Sequence, residues 1–343
     1  MTAPALEYPF KNIPLPTELV EITNGVYWLR MPLPLPLGHI NLYLLEDTDG
    51  WWIIDTGMNI GDTQIFWQAI FDNHLHHKPV EGIIVTHMHP DHIGQAGWLC
   101  AKCQAPLYMS YSEYYTALAL GRISAEEMSE SAREHFRNCG LSQDMVEQIQ
   151  VMLHGMDNII TPIPSTFCRL EEGNDLVIDG KRWRIMIGKG HSPEHVSLVC
   201  DELSILIAGD QAIPKMPASI GVLPSEPFGN PLAQWFESLR KFMSLPADYL
   251  VLPAHDEPYK GLHIRLQYLI ARHEKRLLML KGACAKPKTV AELAPVMYSK
   301  ELHSSLLMMA IGECLAHLNY LVAQGEVERL MDLNGVYRYR SIH

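Results

Sequence analysis

Residues 83–94 constrain this chain more than any other stretch: Ile83-Ile84-Val85-Thr86-His87-Met88-His89-Pro90-Asp91-His92-Ile93-Gly94. Three apolar residues predict a short buried strand, and the Pro-Asp-His turn behind it gathers three imidazoles and one carboxylate into a few positions. Histidines two apart at the end of an extended strand point the same way, whereas Asp91 and His92 lie beyond the turn and face a neighbouring position. Neutral imidazole is the commonest ligand for zinc-like ions. A carboxylate adds a harder oxygen donor that can anchor a second ion beside the first. The pattern predicts metal chemistry rather than a histidine-rich surface loop.

The T-H-x-H-x-D-H string resembles the signature of the metallo-beta-lactamase superfamily, and three later segments extend the likeness. Gly190-His191-Ser192-Pro193-Glu194-His195 resembles its G-H-[ST] segment, Ile207-Ala208-Gly209-Asp210 its bridging-aspartate segment, and Val251-Leu252-Pro253-Ala254-His255 its last histidine. The resemblance implies that His87, His89 and His191 hold one ion, that Asp91, His92 and His255 hold a second, and that Asp210 bridges them. It runs from about Val26 to His255 and implies an α/β fold, a four-layer αββα sandwich. It further implies that Asp55, which ends the strand Trp51-Trp52-Ile53-Ile54, lies behind the site and orients a ligand histidine. The competing expectation for Asp55 is a plain turn residue capping the next helix. His39, just before the Ile40 strand, is an outside candidate for the site.

A chain of 343 residues with 48% apolar and 19% charged residues can bury a full core. A net charge of −12 disfavours broad electrostatic binding to nucleic acid or anionic lipid. Seven cysteines, an odd number, argue against a disulfide framework and for a reducing compartment. Cys100-x-x-Cys103 has no second pair to complete a zinc site and is expected to pack on a helix. The N-terminus has no basic start or apolar segment, and no apolar run is expected to reach the ~18 residues of a membrane span. A cytoplasmic protein without membrane contact is the expectation.

The metal-site domain is expected at 1–260, with Pro-rich residues 1–24 on its surface and Pro32–Gly38 as a loop. A helix is expected from about Thr63 to His76, with His74, His76 and His77 at its end. From Tyr111 the pattern turns helical, including a capping box at Ser124, so a helical insertion is expected at about 111–165. Such an insertion would form a lid or a wall of the substrate pocket, its Tyr and Met residues (Met156 among them) serving chiefly as core. A second set of strands follows from Asp175. Lys215, in a loop near the metals, reads as a solvated lysine. Residues 261–343 are expected to form a winged-helix-like C-terminal domain of helices and a hairpin around Asn334-Gly335. Residues 284–343 carry six Lys/Arg against six Asp/Glu. That balance predicts no DNA reading, and a role instead in the fold, the pocket rim or a homodimer contact.

Two divalent ions, most simply Zn2+ with Fe or Mn as alternatives, would leave the site at about +1 after Asp91, Asp210 and a hydroxide are counted. Such ions lower the pKa of water to roughly 7 and hold nucleophile and polarised oxygen together. The expected function is hydrolysis of a small-molecule ester, thioester or lactone, similar to the hydroxyacylglutathione hydrolases. Asp91 is the candidate to accept the proton. A metal-dependent endoribonuclease or phosphodiesterase is the alternative, suggested by the tail. A non-catalytic protein that keeps its metals is the third reading.

Overall fold

The structure is a computed structural model that describes residues 5–34, 38–123, 128–154, 158–298 and 304–342. Its first sheet holds seven strands in chain order. β1 (Val20–Thr23), β2 (Val26–Pro32), β3 (His39–Glu46) and β4 (Trp51–Ile54) pair antiparallel, and α1 (Thr63–Asn73) follows. β5 (Val80–Ile84) lies parallel to β4; after it come the short α2 (Pro90–Ile93) and α3 (Ala96–Cys103). β6 (Leu107–Met109) is again parallel and leads into α4 (Tyr111–Ile123), α5 (Glu130–Asn138) and α6 (Gln143–His154) before β7 (Cys168–Arg169) closes the sheet.

The second sheet is also mixed. β8 (Asp175–Ile178), β9 (Lys181–Gly188), β10 (His195–Cys200) and β11 (Ile205–Gly209) pair antiparallel in sequence. A 3-10 turn at Asp210–Ala212 and α7 (Pro231–Phe242) precede β12 (Leu250–Pro253), which runs parallel to β11, and β13 (Tyr259–Lys260) forms the edge. α8 (Leu262–Ala283), α9 (Val290–Met297), α10 (Ser304–Ala323) and the hairpin of β14 (Val327–Met331) and β15 (Tyr337–Ser341) complete the chain.

The period-2 alternation of these strands builds four layers. Val26 and Trp28 of β2 meet Ile185, Val196 and Ile207 of the other sheet between the two sheets. Leu29 and Met31 of the same strand face outward and pack with Trp67 of α1 and Leu99 of α3. On the far side, Leu206 and Ala208 of β11 pack with Trp235 and Leu239 of α7 and with α8. Each fully buried aliphatic side chain of this kind contributes about 1.5–3 kcal/mol relative to exposure. The expected αββα sandwich is what the chain forms, with a helical C-terminal region behind the second sheet.

Several local expectations need correction. Residues before 24 do not only cover the surface: β1 extends the sheet, and Glu7 pairs with Lys260. The helix expected to reach His76 stops at Asn73, because His74 serves as its C-cap and His76 and His77 take positive φ. Thr289 caps α9 in a full capping box, whereas the capping box expected at Ser124, together with Met156 and residues 35–37 of the Pro-rich loop, lies outside the described residues. The stretch Leu306–Ala323 of α10 is as apolar as a membrane span, contrary to expectation, but most of it is buried as a core helix. Cys100 is buried on α3, and all seven cysteines are free.

The insertion divides in two. Phe136, Cys139, Val146 and Ile149 of the α5–α6 region share a core with Leu293 of α9 and Cys314 and Leu318 of α10. Ala291 N donates to the Cys139 carbonyl at 3.0 Å. The apolar residues of α5 and α6 are therefore core against the C-terminal region. α4 is the part of the insertion that reaches the metal-site loops.

Candidate metal centre

Two mixed sheets bring five chain segments to one edge of the sandwich. β4 and β5 are parallel and end together, which delivers Asp55 beside Thr86 and His87. β11 and β12 are likewise parallel, so Asp210 and His255 emerge side by side. The β9–β10 connection, with Gly188 paired to His195, carries His191 to the same edge. Pro90 at the first helical position of α2 turns the chain at once, so that Asp91 and His92 face back toward the strand ends.

The candidate residues form two groups that share Asp210. His87 Nε2 lies 2.8 Å from His89 Nδ1 and 3.3 Å from His191 Nε2, which in turn lies 3.2 Å from Asp210 Oδ2. Asp210 Oδ1 lies 3.6 Å from His92 Nε2 and 3.5 Å from His255 Nε2, and Asp91 Oδ2 is 3.7 and 3.4 Å from the same two nitrogens. His87 and His92 are fully buried, His255 nearly so.

The outer bonds of the rings decide which nitrogens point inward. His191 Nδ1 donates to the Ser219 carbonyl at 2.7 Å and His255 Nδ1 to the His39 carbonyl at 2.9 Å. His92 Nδ1 donates to Asp55 Oδ2 at 2.8 Å, and His87 Nδ1 faces Thr86 Oγ1 at 3.1 Å. Each of these four rings therefore turns an Nε2 lone pair into the centre, where lone pairs of neighbours cannot bond to one another. Among the described residues, His92 Nε2 and Asp210 Oδ1 are buried and have no hydrogen-bond partner. Converging buried lone pairs without donors are what a cation satisfies, so the two groups fit a dinuclear metal site.

Electrostatics agree. Burial alone would push the His92 imidazolium down, but Asp55, Asp91 and Asp210 outweigh it and lift its pKa to about 10. The same negative field draws any cation to that point. Burial would raise Asp91, yet His92 and His255 hold it at about 2, and Asp210 lies well below the usual carboxylate range for similar reasons. Burial, with its histidine neighbours, keeps His89 neutral down to about 3 and His87 lower than its ordinary value by a wide margin. His87 and His89 are therefore neutral and Asp91 and Asp210 ionised, the ligand forms that metals require, whereas His92 gives up a proton when a cation takes its place.

Every candidate ligand reaches the centre. Asp55 is more than a turn residue: it accepts from Thr86 N at 2.7 Å, Thr86 Oγ1 at 2.9 Å and His92 Nδ1. The N-cap of α1 is Asp62, not Asp55. His39 serves through its backbone carbonyl, while its ring accepts from Asp256 N. Lys215 is solvent-exposed, as expected, and also pairs with Glu257 at 2.5 Å.

Sequence reasoning assigns no role to three supporting residues. His195 Nε2 accepts the Asp210 N–H at 3.0 Å and its ring lies 4.8 Å from that of His87, so it fixes Asp210, the residue the two groups share, from behind. Gly209 makes this possible: at φ 52, a Cβ there would stand 2.6 Å from the His195 ring. Glu113 of α4, fully buried, accepts from Met88 N at 2.9 Å and Glu194 N at 2.7 Å, tying the first ligand loop to the second. His195 was visible in the Gly190–His195 segment; Glu113 has no local signal.

A third His/Glu group, His273, Glu313 and His317, lies between α8 and α10. The Glu313 carboxylate is taken by Arg276 and Tyr298, and His273 Nδ1 meets His317 Nε2 at 3.0 Å, whose Nδ1 donates to the Glu313 carbonyl. That is a satisfied polar core network around one atom without a partner among the described residues, His273 Nε2.

Two family models match the chain. The model of the metallo-beta-lactamase superfamily matches residues 35–255, and that of a metallo-beta-lactamase-like C-terminal domain matches 277–342. A beta-lactamase domain protein from Burkholderia ambifaria superposes with a TM-score of 0.89 at 37% identity, covering 98% of this chain and 97% of that one. A metallo-beta-lactamase family protein from Thermus thermophilus gives 0.78 at 27% identity, covering 94% of this chain and 100% of that one. A linear primary-alkylsulfatase from a Pseudomonas species is 22% identical over 64% of this chain, which spans only 42% of that protein's length.

Proposed function

Because this chain belongs to the metallo-beta-lactamase superfamily and is a metallo-hydrolase of that kind, we propose that it is a dinuclear enzyme cleaving a small ester, thioester or lactone. The observation that carries this reading is the placement of Asp210, whose Oδ2 faces the His87, His89 and His191 group while Oδ1 faces the Asp91, His92 and His255 group. A single shared carboxylate with three protein ligands on each side supports two ions a few ångströms apart. Bound zinc ions, our choice from the nitrogen-rich ligand set, would acidify a water and polarise the substrate oxygen.

The chain's own groups supply the rest. Asp91, held ionised by His92 and His255, offers a carboxylate oxygen that can accept a proton from the attacking water. The buried rings of His87 and His92 and the carboxyl of Asp55 keep bulk water out from behind and fix the geometry. No serine or cysteine nucleophile is required.

A second reading, cleavage of a sulfate ester, rests on the likeness to the alkylsulfatase. The experiment is a panel of ester, thioester, lactone, sulfate ester, phosphodiester and RNA substrates offered to metal-loaded protein. Preference for carboxylic or thioester substrates supports the first reading. Exclusive turnover of sulfate or phosphodiester substrates overturns it, and absence of any turnover returns the chain to a metal-retaining binding protein.

A further inference from the structure

The carbonyl that orients His191 belongs to a long segment, residues 213–230, between the 3-10 turn and α7, and this segment is held from the C-terminal region. Ser219 O accepts from His191 Nδ1 at 2.7 Å. Three residues on, Val222 N donates to the Gly312 carbonyl of α10 at 3.1 Å. Asn319, on the same helix, donates from Nδ2 to both the Pro227 carbonyl at 3.1 Å and the Gly229 carbonyl at 2.8 Å. Gly312 and Asn319 are seven positions apart, two helical turns, and so lie on one face.

This docking is close and leaves little slack. A Cβ at Gly312 would stand 3.1 Å from Val222 O and 3.6 Å from the Gly221 Cα, so glycine is what lets the two backbones approach. Ala218, Ile220 and Val222 share a buried core with Ile311, Leu315 and Leu318 of α10. Asn319 is 5% exposed, and its Oδ1 has no donor among the described residues. The hydrogen bonds that its side chain makes there both go to this one segment.

We propose that Gly312 and Asn319 are positioning residues for His191: α10 sets the direction of one metal ligand by fixing the segment that bears Ser219. The inference rests on the reading of His87, His89 and His191 as one cation position. A hydrogen bond of 2.7 Å does not survive a shift of its acceptor by about 1 Å. Loss of such an outer bond weakens a metal position by about 10- to 100-fold.

The test uses full-length protein stripped of metal and titrated with zinc against a competing chelator, then with cobalt(II) followed by absorption. The variants are Asn319→Leu, close in volume without donors, Gly312→Ala, and Asn319→Gln as a conservative rescue. Wild type is expected to take up two ions. Asn319→Leu should weaken one of them by about 10- to 100-fold and leave the other unchanged, Gly312→Ala should weaken the same one less, and Asn319→Gln should recover part of the loss. Added to His191→Ala, Asn319→Leu should have no further effect on metal binding. Equal weakening of both ions, or additive losses in the double variant, would show a general structural role and overturn the proposal. Unchanged binding in both Asn319→Leu and Gly312→Ala would overturn it while leaving the two-metal reading intact. A wild type that binds no metal would overturn both. If Asn319→Leu does not fold, Gly312→Ala carries the same comparisons.

Discussion

Asp55 Oδ2 stands 2.8 Å from His92 Nδ1, and the same carboxylate accepts the Thr86 N–H and hydroxyl. Three donors on one buried carboxylate lock the ring of His92 with Nε2 inward. Asn tolerates the left-handed backbone of this position, φ 60, as Asp does. Asp55→Asn therefore spares the turn and removes the charge. We expect metal affinity at the His92 position to fall about 10- to 100-fold with the fold retained. Unchanged metal uptake in a chelator competition would contradict this.

Asp91 and His87 fall in different candidate groups, and substituting each should separate the two. Asp91→Asn is expected to lower turnover by orders of magnitude and deplete the ion near His255, since Asp91 Oδ2 is 3.4 Å from His255 Nε2. His87→Ala should deplete the other ion. Metal content, melting temperature and rate measured on both proteins decide the matter. A normal rate in Asp91→Asn, in line with a mere turn residue, would remove Asp91 from the chemistry.

The buried histidines of the C-terminal helices predict acid sensitivity. Burial, with Arg276 and Arg272 opposing a further positive charge, brings His317 down to about 4, and burial with His317 and the same arginines keeps His273 well below its ordinary value. The unfolded chain takes up these protons near pH 6.5 and the folded one does not. Stability is therefore full above about pH 6.5 and is lost as pH falls toward 4. For His317 alone the loss amounts to roughly 2 kcal/mol at about pH 5. Between about pH 7 and 5, metal-free His317→Gln should lose stability less steeply than metal-free wild type in urea titrations. Equal slopes would refute the assignment.

Gly209 precedes the shared carboxylate of Asp210 at φ 52 and ψ −129, a region hostile to other residues. Gly209→Ala must displace the His195 ring that holds Asp210 N. We expect a loss of about 1–3 kcal/mol in stability and weaker uptake of both ions. Calorimetry with metal analysis checks this; intact uptake with wild-type stability would contradict it.

The candidate ligands were legible in the sequence because metal sites draw on His and Asp side chains and the fold puts these at the ends of apolar strands, where each is announced by its neighbours. Asp55 was legible for the same reason. Ser219 and His39 were not, since the atoms they offer to His191 and His255 are backbone carbonyls, which every residue has. Glu113 reads as an ordinary residue in the first turn of a helix until the fold carries it under Met88 and Glu194. β1, β7 and β13 were too short or too polar for a period-2 signal. The destination of α5 and α6 was hidden because an amphipathic helix declares that it has an apolar face without saying against what.

Among the described residues the first sheet has its seven strands side by side in chain order, whereas the candidate metal centre draws on both sheets. A nascent chain can thus finish that sheet while His87, His89, Asp91 and His92 still lack His191, Asp210 and His255. His255 comes 163 positions after His92. At ribosomal speed that interval is on the order of ten to thirty seconds. Completion of the candidate metal centre is consequently a late event in the synthesis of this chain, and a chain that stalls in its second half would display half of the site with its buried face uncovered.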